Sequence, residues 1–205
     1  MGKIKNVIFD FGRVIVTFDE LAMTREYIPD EDDALLAHGV IFDRKYWDLL
    51  DLGTIADEKV EEGIRARLPE RLHEGAITTF RRWIHHIPLI AGMEDAVAFA
   101  KARARGLYLL SNISPYFSAH YKENPDVARV LSHFDGLVFS GDLHLVKPDR
   151  RIFEYLLSTY GIRAEETLFI DDSEKNIAGA MAVGLQTYLF DGDAQRLIAY
   201  LDAVL

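Results

Sequence analysis

VIFDFGRVIV, residues 7–16, carries an apolar run that ends on Asp10, a glycine at position 12 and a second apolar run behind it. A near-continuous β-branched run marks a strand covered on both faces, which is the habit of parallel sheets; a half-exposed strand alternates instead. Open parallel sheets bind their ligands beyond the carboxyl ends of the strands, so Asp10 stands where chemistry is done. Taken alone, Asp-x-Gly reads equally well as a turn. The rest of the chain decides between the two.

From about residue 90 onward, short apolar runs alternate with helical stretches. Leu107–Leu110, Leu137–Phe139, Leu168–Ile170 and Thr187–Phe190 read as strands, separated by crossovers of the length that a parallel sheet requires. With Val7–Phe9 they make five strands of an α/β core. Between about residues 18 and 88 the texture changes to helical periodicity, as in DEDDALLAHGV, KYWDLLDLG, ADEKVEEGIRARL and AITTFRRWIHHI, with no strand signal. The expected organisation is a core built from residues 1–17 and 88–205, and an all-helical insert of residues 18–87. Two short hinges near Thr17–Phe18 and Ile87–Ile90 would tether it.

The 205 residues are 49% hydrophobic and 27% charged, the balance of an ordinary globular protein. A formal net charge of −10 argues against a nucleic-acid partner or an anionic membrane surface. No apolar run has the length of a membrane span or signal peptide, and there is no cysteine, which together give a cytoplasmic address as the default. A phosphorylated ligand would need local positive charge to overcome the overall repulsion.

Three further motifs close the later strands. LYLLSN sets Ser111 and Asn112 after the second, where a hydroxyl and an amide can donate to a phosphate oxygen. HLVKPDRRIFEYLL carries Lys147 ahead of Pro148, which is expected in the first turn of an amphipathic helix. TLFIDDSEKN ends a strand on adjacent carboxylates, Asp171 and Asp172, before a helix with Asn176. One aspartate there could be a helix cap; two, with Asp10 at another strand end, fit a hard divalent cation better.

In order and context these motifs resemble the haloacid dehalogenase superfamily, most of whose members are Mg²⁺-dependent phosphohydrolases with a Rossmann-like α/β core and a helical cap inserted after the first motif. The resemblance covers essentially the whole chain. It implies Asp10 as the nucleophile, Ser111 and Asn112 as phosphate-binding groups, and Lys147 as the neutralising cation. It implies Mg²⁺ held by Asp10, the Gly12 carbonyl and Asp172, with Asp171 orienting metal-bound water and Asn176 supporting the cluster. Arg44 and Trp47 in the cap become candidates for contact with the substrate. An ordinary aspartate, with a pKa near about 3.9, is ionised at neutral pH and can attack phosphorus in line to form an aspartyl-phosphate.

Most phosphatases of the superfamily carry a second aspartate two residues after the nucleophile, as general acid and base; here that position is Gly12. Loss of such a group typically costs about 10²–10⁴-fold. Either another residue supplies the proton, or the substrate has a leaving group that needs little help. The first motif is most similar to that of the bacterial α-glucose-1-phosphate phosphatase-like subgroup, which implies a small sugar phosphate. His144, near Lys147, is one conceivable substitute acid. Two alternatives stand beside this reading. A metal-independent 2-haloacid dehalogenase also lacks the second aspartate, but has no use for adjacent carboxylates at its nucleophile; a phosphometabolite-binding regulator would have lost turnover with it. His85–His86 point about 100° apart on a helix and read as cap surface or hinge.

Overall fold

A computed structural model describes residues 4–205. In chain order the elements are β1 (Asn6–Phe9), α1 (Glu20–Arg25), α2 (Glu31–Ile41), α3 (Arg44–Asp51), α4 (Asp57–Arg67), α5 (His73–Arg82) and α6 (Met93–Arg103). They continue with β2 (Gly106–Ser111), α7 (Pro115–His120), α8 (Pro125–Leu131), β3 (Gly136–Phe139), α9 (Ser140–Leu143) and α10 (Arg150–Tyr160). The chain closes with β4 (Thr167–Asp171), α11 (Glu174–Ala182), β5 (Gln186–Leu189) and α12 (Ala194–Val204). None of the described helices is long and apolar enough to cross a membrane.

The strands form one parallel sheet in the order β3-β2-β1-β4-β5. Alternate residues feed two apolar layers, as the period of two requires. Phe9, Leu109 and Ile170 face a core that continues through α6 and α12 into the helices between β1 and α6. Ile8, Leu110 and Phe169 face a second core with Ile152, Phe153 and Leu156 of α10. Burial on both faces explains why these strands read as continuous apolar runs.

All helices from α1 to α5 fall between β1 and α6. The two segments that connect them to the sheet run side by side: Thr17 N–H donates to the Pro88 carbonyl at 2.9 Å, Ile90 N–H donates to Ile15, and Val16 bridges Leu89. The two expected hinge segments are thus hydrogen-bonded to each other across a single antiparallel bridge.

One boundary differs from expectation. Pro148 lies outside α10, which starts at Arg150; the Asp149 carboxylate caps it by accepting from Arg151 N–H at 2.9 Å. A capping aspartate satisfies an orphan amide, so it takes the start of the helix from the proline. Strain after the first motif falls on Arg13, not on Gly12: Arg13 sits in the left-handed region at φ 61°, in a tight turn where its N–H donates to Val16 at 2.7 Å. A Cβ built on Gly12 meets nothing within 4 Å.

Candidate active site

β1 is flanked by β2 and β4, and the carboxyl ends of all three converge. Phe9 is in register with Leu109 and Ile170, which brings Asp10, Ser111 and Asp171 to one edge of the sheet. Asp10 N–H donates to the Ile170 carbonyl at 2.9 Å, extending the ladder by one residue and fixing the direction of its side chain.

Lys147 is the centre of the arrangement. Its ammonium lies 2.6 Å from Asp10 Oδ1, donates to Asp171 Oδ2 at 2.8 Å and to the Leu110 carbonyl at 3.0 Å, and is buried. All three donor positions of the ammonium are filled. Burial opposes its charge, but Asp10 and Asp171 outweigh it and raise the Lys147 pKa above its ordinary value. Burial pushes the Asp10 carboxyl up to about 7, with Lys147 opposing the rise and Asp171 adding to it.

Support comes from the neighbouring loops. Asn112 holds the Lys147 backbone at both ends, its Nδ2 donating to the Lys147 carbonyl at 2.9 Å and its Oδ1 accepting from Lys147 N–H at 2.8 Å. Gly179 in α11 lets the loop lie close: a Cβ there would fall 2.6 Å from the Pro148 carbonyl oxygen. Asn176 donates to both oxygens of Asp171 at 3.1 Å, and Ser173 N–H donates to Asp171 Oδ1 at 2.8 Å. Asp171 is thus fully engaged by protein and wholly buried, while Asp172 is half-buried and its carboxylate bonds no other residue among those described. Asp10, Asp171 and Asp172 each place an oxygen within 4.8 Å of the others.

Above this edge lies a cavity of about 210 Å³ between sheet and helices. Asp10, Gly12, Ser111, Asn112 and Lys147 form its floor, and Arg44 and Trp47 belong to its walls; Asp171 and Asp172 do not line it but lie beside Asp10. The duties of these candidates are more divided than expected. The side-chain amide of Asn112 is committed to Lys147 through its oxygen and one N–H, which leaves its other Nδ2 proton and its backbone N–H as donors for a ligand. Trp47 spends its indole N–H on the Ile41 carbonyl at 2.7 Å and packs against Phe18, Phe42 and Trp83, so it offers an apolar wall. Arg44 is exposed and paired with Asp48. Asn176 touches Asp171 and not Lys147.

His144, considered as an acid, is turned away. It adopts φ 55°, its Nδ1 bonds the Leu52 carbonyl at 2.9 Å, and it is absent from the cavity lining. His86 bonds the Tyr27 hydroxyl and His85 approaches Glu123, which fits the surface or hinge reading. Seven cavity residues escaped sequence reasoning: Phe11, Arg13, Phe18, Glu20, Asp51, Trp83 and Ile113. The apolar ones look like any core residue in sequence. Asp51 had a faint signal, a carboxylate two positions before a glycine at a helix end, as at Asp10 and Gly12.

The haloacid dehalogenase-like hydrolase family matches residues 4–184. The sesquiterpene phosphatase astK of Aspergillus oryzae is 26% identical over 186 residues, covering 88% of this chain and 87% of its own. The D-ribitol-5-phosphate phosphatase of Bacteroides thetaiotaomicron is 25% identical over 204 residues, covering 90% and 91%. A family enzyme of the same bacterium, solved with magnesium and inorganic phosphate, superposes with a TM-score of 0.69 at 21% identity over 92% of this chain and 95% of its own. By its sheet order and by this match over most of its length, the chain belongs to the haloacid dehalogenase-like hydrolases.

Proposed function

We propose that the protein is a Mg²⁺-dependent phosphohydrolase that acts on a small phosphorylated metabolite, a sugar or polyol phosphate, through an aspartyl-phosphate on Asp10. The observation that carries this reading is the charge balance at the strand ends. One ammonium faces three carboxylates, so Lys147, Asp10, Asp171 and Asp172 carry surplus negative charges beside the cavity once Asp10 is ionised, and burial pushes the Asp10 carboxyl up to about 7 against that ionisation. A hard divalent cation compensates those charges. Asp10, the Gly12 carbonyl and Asp172 would hold it, since the oxygens of Asp171 are already engaged by Lys147, Asn176 and Ser173. Bound there, Mg²⁺ supplies positive charge to the phosphoryl oxygens.

The chain's own groups do the rest. Asp10 attacks phosphorus, Lys147 offsets the charge spread over the phosphoryl group, and the Ser111 hydroxyl and Asn112 N–H hold its oxygens. Ser111 is buried against the cavity and its hydroxyl bonds no protein group among the described residues, which suits it to a ligand. Residues 18–87 act as a cap that carries Arg44 and Trp47 over the substrate, on a core of residues 1–17 and 88–205. A dehalogenase would gain nothing from the same cluster, since three carboxylates repel a haloacid anion. The polyol class is supported by the ribitol-phosphate phosphatase that this chain resembles along most of its length.

A panel of sugar and polyol phosphates, assayed with and without Mg²⁺, tests the proposal. Phosphate release is expected with Mg²⁺ and not in EDTA. Asp172→Ala should raise the Mg²⁺ concentration needed for half-activity by about 100-fold or more, since loss of even an outer partner costs about 10–100-fold. Its melting temperature should stay near that of the parent. Full turnover in chelator would turn the assignment to a dehalogenase; tight binding without phosphate release would turn it to a regulator.

A further inference from the structure

Resting on the phosphohydrolase reading, we infer that Asp51 of the helical part is the general acid and base of the reaction, in place of the aspartate missing at Gly12. Three carboxylates line the cavity: Asp10, Glu20 and Asp51. Asp10 is the nucleophile. Glu20 is engaged by His38 at 3.2 Å and lies 3.8 Å from Arg13. Asp51 closes α3 and pairs with no cation among the described residues; the nearby Arg44 is taken by Asp48. In a cavity of about 210 Å³, an occupant bound to the floor at Asp10 also meets the residues above it.

The backbone around Asp51 is built to stay in place. Ser140 Oγ accepts from Ile113 N–H at 2.9 Å and donates to the Asp51 carbonyl at 2.5 Å. His144 reaches the next carbonyl, that of Leu52, at 2.9 Å. Gly53, at φ 68°, lies so close to α9 that a Cβ would fall 2.1 Å from the Gly141 carbonyl oxygen. Three consecutive residues of the helical part are thus docked on the segment that follows β3, two loops from the nucleophile. Ser140 and His144 are positioning residues on this account, and the left-handed backbone of His144 is what aims its ring at the cap.

The protonation state agrees with the task. Burial pushes the Asp51 carboxyl up to about 7, with Arg44 and Lys147 opposing the rise and Asp48 adding to it. A group poised near neutrality can give a proton and take one back. In the first step, Asp10 bonds to phosphorus, the bond from phosphorus to the leaving oxygen breaks, and that oxygen takes the proton of Asp51. In the second, water attacks phosphorus and passes a proton to the Asp51 carboxylate, while the bond from Asp10 to phosphorus breaks and phosphate departs. Every proton returns to its start.

Two substrates of similar size separate this role from others: 4-nitrophenyl phosphate, whose phenolate leaves unaided, and benzyl phosphate, whose alkoxide does not. With Asp51→Asn in Mg²⁺, kcat/KM for benzyl phosphate should fall about 10²–10⁴-fold. For 4-nitrophenyl phosphate it should stay within about tenfold, because kcat/KM reports only the first step and that step needs no acid. The second step still slows, so a burst of 4-nitrophenolate should precede the steady state. Adding Gly12→Asp, at a position where a Cβ meets open space, should return part of the benzyl phosphate activity. Equal losses on both substrates, or no loss on either in a variant with the parent's melting temperature, would overturn the role of Asp51. A parent enzyme inert toward both would instead remove the phosphohydrolase reading on which it rests.

Discussion

Lys147→Met should cost the protein both its activity and a large part of its stability. The ammonium is buried and bonds Asp10, Asp171 and the Leu110 carbonyl. Methionine matches its stem but leaves two carboxylates facing each other without their cation. Removing one partner of a buried ion pair costs about 3–5 kcal/mol, because the other charge is stranded. At about 2–4 °C per kcal/mol for a chain of this size, the melting temperature should drop by about 10 °C. In chelator the drop should depend on pH with a definite sign. The folded Asp10 carboxyl already titrates above its ordinary value through burial, and loss of Lys147 takes it higher. A carboxyl whose folded pKa is raised stabilises the fold less as pH climbs from the unfolded value through the folded one. The variant should therefore come closest to the parent at pH 5 and fall furthest behind at pH 8. Thermal melts at the two pH values decide it: a constant small deficit would mean that Lys147 does not neutralise this cluster.

Such a residue was legible in sequence only as a lysine before a proline and an apolar helix. Its partners were legible for a different reason: Asp10, Ser111 and Asp171 each follow an apolar run, and parallel strands in register bring their ends to one edge whatever lies between. β1, β2 and β4 were plain because both their faces are buried, whereas β3 and β5 at the sheet edges are only partly so. What the sequence hid depends on contacts between distant segments. The Asn112 amide could as well have faced a ligand, until the Lys147 backbone took both of its ends. His144 looked close to the chemistry by number, yet its backbone geometry sends the ring to Leu52. Asp51 lies in a helical stretch some forty residues from Asp10, and only the docking of residues 51–53 on Ser140, Gly141 and His144 carries it to the cavity. Local pattern identifies groups that a strand end presents; it is silent on groups that arrive with a second packing surface.

Gly12 follows the same logic. Nothing in the backbone demands a glycine there, since the positive φ belongs to Arg13 and a Cβ at position 12 meets open space. The absence of a carboxylate at that point is matched by a carboxylate across the cavity. If Asp51 is the acid, as proposed, the open space at position 12 needs no carboxylate of its own.

Asp10→Asn should abolish turnover and leave the fold intact or firmer, a combination that separates a nucleophile from a structural aspartate. The amide has nearly the shape of the carboxylate but cannot displace an alcohol from phosphorus, and deleting a nucleophile commonly costs more than about 10⁴-fold in kcat. The stability side follows from the charges. Lys147 keeps Asp171 at 2.8 Å, so the substitution converts one ammonium between two buried carboxylates into a single matched pair. Because the folded pKa of Asp10 is raised from 3.8 to about 7, ionising it in the folded state is unfavourable, and its contribution to stability declines as pH rises across that interval. Asparagine removes the decline. In chelator the variant should therefore be at least as stable as the parent at pH 8, and the two should converge, or the order reverse, near pH 4. Melting curves over that range, with mass spectrometry to exclude deamidation back to aspartate, check both halves. Residual turnover above a few per cent would remove Asp10 as the nucleophile. A variant inactive but strongly destabilised at pH 8 would instead mark Asp10 as a structural partner of Lys147, its loss of activity secondary to loss of the cluster.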